Sequence, residues 1–577
     1  MTDIRRTVLW VVFTMSLVLL WDGWQKYNGH DSLFLRAAPH AETTAGTAPA
    51  SSASGVPAAT AGTAAVASAA SPAASQAVAA ESVVIHTDVM NVTLSTRGGS
   101  VTRVELLKYL SAPEPDVLDS LQEMVGLKKK PDVQKEPIVL LDAARSYEAQ
   151  SGLLDSNGKA TVPGHNTVMT LVPGDRTLKD GENQLVVKLE SPEVGGVKLV
   201  KTFTFTRGEY VVGVKHEVVN VGAAPVTPQL YVQLVRDGEL IKSGPKMAPS
   251  SFTGPAVYNE KAGFHTVKFE DLAKGKKADI DPTADNGWVA MIQHYFASAW
   301  LPAGNAQREF YVTPVPDSQS KQFQVGMLFT LPQLAPGATE SQDDKLFIGP
   351  QEENKLAALT PGLQLVKDYG IFKVLSQPLF WLLDHLHQWI GNWGWAIIGL
   401  VVLLKMAFFW LNASAYRSMA KMKAVGPRIQ ALNERFKDKP QEKQQEMMRI
   451  YREEKINPIG SCLPIFLQMP FFMGLYWVLL SSVEMRGAPW LGWITDLSQR
   501  DPYFILPLIL TASSLLQVAL NPKSPDPVQA KMMWFMPLAF SVMFFVFPSG
   551  LVLYWLTNNI LSIAQQWLIN KKMGVQN

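Results

Sequence analysis

The spacing of apolar and polar positions changes several times along the chain, and each change predicts a different kind of element. From Trp393 to Asn412 the sequence is almost wholly apolar, with tryptophans near both ends. That is about what a bilayer's hydrocarbon core requires, roughly 20 residues at ~1.5 Å each. Similar runs follow at Gly460 to Ser482, Tyr503 to Leu520, Met532 to Phe547 and Leu551 to Ile569, and one precedes them at Val8 to Trp21. The expectation is six transmembrane helices. Arg5 and Arg6 before the first run, and Lys571 and Lys572 after the last, place both termini in the cytoplasm. Bulky Asp22-Gly-Trp-Gln-Lys-Tyr, without a small-residue cleavage site, makes the first run an uncleaved anchor.

Between the anchor and the later spans the period falls to two. Met90, Val92 and Leu94 alternate with Asn91, Thr93 and Ser95. Leu199, Lys201, Phe203 and Phe205 form another such set, as do Tyr210, Val212, Val214, His216 and Val218. Strands of this kind, separated by Gly, Asn and Asp turns, predict an all-β sandwich over residues 82–350, outside the membrane. His216 and His294 fall on or near its strands, with Glu217 and Asp237 within reach by sequence. No nucleophile or acid–base motif accompanies them, so they read as structural.

The remaining segments are connectors. Residues 1–27 hold the anchor, and 28–81 are an Ala-, Ser- and Pro-rich tether that lacks the apolar side chains needed to offset its ordering entropy. Residues 351–389 lead into an amphipathic helix, Tyr369 to Trp389, expected to lie along the outer leaflet. Residues 390–577 form a five-helix core. Within it, 413–458 is a basic, highly charged helical hairpin, broken at Lys437-Asp-Lys-Pro440 and kinked at Gly426-Pro427.

Composition narrows the function. The chain has 577 residues, 47% of them hydrophobic, too many for a fully soluble protein. A net charge of +2 gives no global field for nucleic-acid readout. The single cysteine, Cys462, excludes an internal disulfide framework, and the nine histidines show no metal-ligand grouping. No zinc or iron–sulfur spacing appears.

Polar side chains inside the spans carry the candidate chemistry. Lys405 costs on the order of 3 kcal/mol at a bilayer's centre unless water or a partner relieves it. The C-terminal spans contain no Asp or Glu to pair with it. Asn412, Ser461, Gln468, Ser514 and Gln517 share its inner half of the membrane, and Tyr554, Asn558, Ser562 and Gln565 form a stripe down the last span. Polar groups at one depth on several helices predict a cavity wet from the cytoplasm and closed outside. Individually, each also reads as a helix-to-helix hydrogen bond. A one-sided cavity with a cation at its apex suits reception of a client's polar segment better than a channel or a repeat-built transporter. A solute or lipid translocator, or a glycan-binding sandwich on a membrane anchor, remain the alternatives.

Several motifs together resemble the YidC family of membrane protein insertases. They are Gln377-Pro-Leu-Phe to Gly391-Asn-Trp-Gly394, Ser418-Met-Ala-Lys-Met, Asn457-Pro-Ile-Gly, Leu467-Gln-Met-Pro470 and Phe547-Pro-Ser-Gly-Leu-Val-Leu-Tyr554. Gly287-Trp-Val-Ala-Met-Ile-Gln-His-Tyr-Phe296 is similar to the large periplasmic domain of Gram-negative members. The resemblance implies a non-enzymatic insertase and folding chaperone of the bacterial inner membrane, with a β-supersandwich in the periplasm and a cytoplasm-open hydrophilic groove. Its implied partners are nascent membrane proteins, the lipid bilayer and the Sec translocon, with ribosome and targeting factors met through the hairpin. Client contacts map onto Gln468, Tyr554 and Trp555. The family's groove arginine is Lys405 here, which keeps the charge but loses the planar fork, and the threonine one turn before it is Val401.

Overall fold

Two nine-stranded antiparallel sheets carry the N-terminal half of the computed structural model, which describes residues 80–111, 135–239, 251–316, 321–436, 439–454, 463–521 and 527–572. The N-terminal anchor, residues 28–79 of the tether and Ser461 lie outside the described residues. One sheet runs Ser82–His86, Met90–Ser95, Ser100–Ser111, Glu148–Leu154, Gln229–Asp237, Gln322–Thr330, Arg308–Pro314 and Thr283–Ala284, with Glu136–Asp142 on the third strand. The other runs Gly263–Thr266, Gly254–Asn259, Trp288–Gln293, Phe296–Pro302, Thr339–Pro350, Val211–Asn220, Val197–Thr206, Gln184–Glu190 and Thr170–Leu171. The short helix α1 (Phe269–Ala273) packs against Arg308–Pro314, the strand next to one edge of the first sheet.

The period-two sets face inward as expected. Met90, Val92, Leu94, Phe203, Phe205, Val212 and Val214 sit in one apolar cluster with Trp288 and Trp300. Lys201 and His216 belong to the same inward rows and are fully buried with them. Their presence there has a polar explanation. Lys201 Nζ donates to Gly98 O (2.5 Å), Ser151 O (2.8 Å) and Ser151 Oγ (2.7 Å). His216 bonds Ser151 Oγ at 2.8 Å through Nε2 and Asp344 Oδ2 at 3.0 Å through Nδ1. Glu217 and Asp237, near His216 in sequence, are not its partners; they pair with Lys215 and with Arg145 and Arg236.

His165 is a second buried histidine, its ring nitrogen 2.6 Å from Tyr231 Oη. Burial, then the nearby Lys201 charge, pulls its pKa down to about 4. A histidine that titrates lower in the folded state than unfolded favours the fold fully above its unfolded pKa, near 6.5. Its contribution, about 3 kcal/mol at most, is lost as pH falls from ~6.5 to ~4 and is constant below that. The melting temperature of the sandwich in the detergent-solubilised full chain is therefore expected to fall over that window. His165→Asn should flatten the slope; an unchanged slope would remove His165 from the account.

Past the sandwich, α2 (Glu353–Leu359) leads to α3 (Lys373–Ile390). Then come α4 (Trp393–Ala407), α5 (Phe409–Ala424), α6 (Gly426–Arg435), α7 (Pro440–Glu453), α8 (Leu463–Ser481), α9 (Ile505–Leu520), α10 (Pro527–Phe544) and α11 (Ser549–Lys572). The apolar face of α3 packs into the helical bundle: Leu379, Phe380 and Leu383 join its core, and Ser376 Oγ donates to Gly474 O of α8 at 3.0 Å. The helix is thus seated on α8 through that face. Its outward side instead presents Val374, Trp381 and Trp389.

The expected span through Lys405 is bent. It is not one rod: α4 and the segment Asn412–Met419 meet at a bend of 72°. Phe408, between them, leaves helical geometry at φ −93°, ψ 10°. Beyond it the small residues Ala413 and Ala415 are buried, allowing close approach of α5 to its neighbours. Among the described residues no single helix is long and apolar enough to cross a membrane, although this bent pair is. In the hairpin, α5 stops at Ala424 and α6 restarts with Pro427 in its first turn, as Gly426-Pro427 predicted. The arms α6 and α7 meet through Val425, Ile429, Ile450 and Tyr451, with Arg428 bonding Glu454 across them.

Candidate functional site

The polar residues of the bundle converge on α11, whose side chains form two rows. The first faces α4, α5 and α8. Lys405, near the end of α4, donates from Nζ to Ser562 Oγ at 2.8 Å. Ser562 in turn donates to Asn558 O at 2.8 Å, one helical turn back. Asn558 Oδ1 accepts from Gln468 Nε2 of α8 at 2.8 Å. One continuous hydrogen-bonded path thus joins Lys405, Ser562, Asn558 and Gln468. Further along, Gln565 Nε2 donates to Phe409 O at the start of α5 (3.3 Å), and Asn412 is buried on the same helix.

Aromatic side chains lie on the other side of Gln468 and Asn558. Phe472 of α8 stacks on Tyr554 with centroids 5.9 Å apart, and lies 4.5 Å from the Trp555 ring. Trp555 also meets Phe544 of α10 edge-on at 4.8 Å. Tyr554 and Trp555 therefore form an aromatic wall one turn from the polar path, while Val401 is buried in apolar surroundings.

The second row was not singled out from the sequence. Asn559 Nδ2 donates to Ser514 Oγ (2.9 Å), and Gln566 Nε2 to Asn521 Oδ1 (3.1 Å), both tying α11 to α9. Ser514 is thus placed with this helix-joining row and not beside Lys405, and Gln517 is half-buried on the same helix. The doublets Asn558-Asn559 and Gln565-Gln566 held the signal: adjacent residues on a helix point about 100° apart, so each doublet serves two faces.

Electrostatically the first row is a cation among neutral donors and acceptors, since none of α4, α8, α9, α10 and α11 contains an acid. Such a set can bind carboxylates or peptide carbonyls but has no nucleophile–base pair for bond chemistry. An open groove of about 630 Å³ between α9 and α10 is lined by different residues, chiefly Leu515, Trp534, Phe535 and Leu538, and is apolar. Among the described residues no cluster of His, Cys, Asp and Glu could hold a metal ion.

The Ser151–His216–Asp344 chain has the order of a hydrolase triad, but its members lie sealed between the two sheets, and Lys201 also donates to the serine oxygen. A substrate carbonyl has no approach there. The chain joins the sheets.

Comparison with known proteins covers the same two halves. Residues 82–382 match the family described as "YidC periplasmic domain", and residues 385–576 match "60Kd inner membrane protein". The chain is 51% identical to the membrane protein insertase YidC of Cupriavidus necator, over 99% of its own length and 98% of that protein's. It is 49% identical to the protein of the same name from Ralstonia nicotianae, with the same coverage. Among solved structures, the crystal structure described as an active YidC insertase with the first transmembrane domain resolved aligns over 84% of this chain and 92% of that one. The identity there is 18% and the TM-score 0.38.

Proposed function

Because the chain belongs to the YidC family of membrane protein insertases, we propose that it inserts nascent membrane proteins by receiving their polar segments at the Lys405–Ser562–Asn558–Gln468 path. The observation that carries this reading is Lys405 itself, a cation on an apolar helix whose hydrogen bond goes to a neutral hydroxyl, so its charge remains available to a client. A client's carboxylate or peptide group at this path exchanges water for fixed polar partners, while its apolar helix slides past Tyr554, Trp555 and Phe472 into lipid. The barrier falls because the hydrophobic stretch to be crossed is shorter.

The wider arrangement belongs to the same proposal. Six spans of the inner membrane, counting Val8–Trp21, leave both termini in the cytoplasm and the sandwich of residues 82–350 in the periplasm. The groove opens to the cytoplasm, and Asn412 and Gln565 are its remaining members, whereas Ser514 belongs to the row that ties α11 to α9. The basic α6–α7 hairpin is the meeting place for ribosome and targeting factors, and the protein works alone or with the Sec translocon. No cofactor takes part.

Purified protein in liposomes should insert a small single-span membrane protein and should not move small solutes. A photoreactive residue at position 468 or 554 should cross-link to the nascent chain during translation. Cross-links confined to a residue such as Val542, on the exposed side of α10, would contradict this path.

A further inference from the structure

The turn Val483–Met485, one residue beyond α8, is shared between the two halves of the protein. Val483 is buried in the apolar cluster of the sandwich, whereas Met485 is buried in that of the bundle. Between them Glu484 takes Lys367 from the strand-to-α3 connection, with Nζ 3.2 Å from each carboxylate oxygen. The Lys367 side chain is fully enclosed and also lies 3.5 Å above the Phe380 ring of α3. Glu353 of α2 is 3.9 Å from the same ammonium and accepts from Tyr369 Oη. Arg486 completes the contact, donating to Leu110 O at 3.1 Å and covering Tyr295 at 5.2 Å. Gly370 follows Lys367 at φ +59°, where any side chain would strike the Trp477 ring of α8.

We infer that Lys367 and Glu484 are positioning residues: they form a joint through which the sandwich fixes the seating of α8, and with it Gln468 in the polar path. This rests on the insertase reading above. The joint is stiffly attached to the helix, because Ser482 continues α8 with both its N–H and its hydroxyl bonded to Val478 O. Gln468 lies thirteen residues back from the end of α8, about 20 Å along its axis. A tilt of about 5° at the joint therefore displaces Gln468 by about 2 Å, more than its hydrogen bond to Asn558 tolerates. An enclosed ion pair is suited to this task, since losing one partner strands a charge while losing both does not.

The test uses the full chain in detergent and in liposomes. Lys367→Met should speed hydrogen exchange at the Met485 and Arg486 amides at least about tenfold and slow insertion at least about threefold, with melting of the sandwich unchanged. Lys367→Met combined with Glu484→Met, which fills the site with apolar side chains, should return both readouts to within about twofold of the parent. Faster exchange with unaltered insertion would overturn the inference, as would unaltered exchange. So would a double variant that recovers exchange but not insertion. Val483→Asp, which forces a charge into the sandwich core at the same turn, should reproduce the Lys367→Met defect. If the parent protein itself inserted no client into liposomes, the insertase reading would fail; if the parent inserted and only the joint variants left insertion unaltered, that reading would stand without the joint.

Discussion

Lys405→Glu is expected to slow insertion of clients with acidic translocated segments by at least about tenfold, whereas Lys405→Arg stays within about twofold of the parent. A client carboxylate about 8 Å from the ammonium gains roughly 2 kcal/mol at an effective dielectric of ~20, and charge reversal turns that gain into a similar loss. A tenfold effect requires only about 1.4 kcal/mol, so it should survive considerable screening. The substitution does not threaten the fold, because a glutamate there can accept from Ser562, whose hydroxyl now accepts from Lys405 at 2.8 Å. Clients with neutral or basic translocated segments should be affected far less. The measurement is insertion into liposomes at matched protein levels, comparing one client before and after its acidic residues are made neutral. Equal insertion of the acidic client by parent and Lys405→Glu would remove charge attraction and leave only a polar path.

Much of this architecture was legible because the relevant patterns are local. The inward rows of the sandwich follow from period two, down to the inclusion of Lys201 and His216 among apolar neighbours. The kink at Gly426-Pro427 follows from proline's missing N–H. What was not legible depends on residues far apart in the chain. His216 takes Ser151 from 65 residues away and Asp344 from 128 away, so nearby Glu217 and Asp237 were misleading candidates. The bend after Ala407 has no proline or glycine to announce it. The stripe on the last span led to Asn558, Ser562 and Gln565, but period alone could not say which member of each polar doublet faces Lys405 and which faces α9. The joint at Glu484 was invisible for the same reason: Lys367 lies 117 residues earlier, in a connection whose composition gives no sign of burial.

His216→Phe is expected to destabilise the sandwich by about 3 kcal/mol or more, lowering its melting temperature by roughly 6–12 °C. The direction of every hydrogen bond in the buried chain can be assigned. Asp344 can only accept, so His216 donates from Nδ1 and its Nε2 is an acceptor. Ser151 must then donate to Nε2, leaving its oxygen to accept from Lys201. The chain therefore runs from an ammonium on one strand, through a serine of the opposite sheet, to a carboxylate on a third strand, with a neutral imidazole as its only link. Burial, outweighing the Asp344 charge, lowers the His216 pKa and so favours that neutral form. Phenylalanine fills a similar volume but donates nothing, stranding a carboxylate whose other oxygen is held by Gln342 at 3.1 Å. Asp344→Leu should cost less than His216→Phe, since it removes the buried charge and leaves only an unmatched N–H. The pair combined should cost clearly less than the sum of the two. Thermal unfolding of the full-length protein in detergent, followed through the buried Trp288 and Trp300, measures all three variants. Additive losses would mean that His216 and Asp344 pack side by side without acting as a chain.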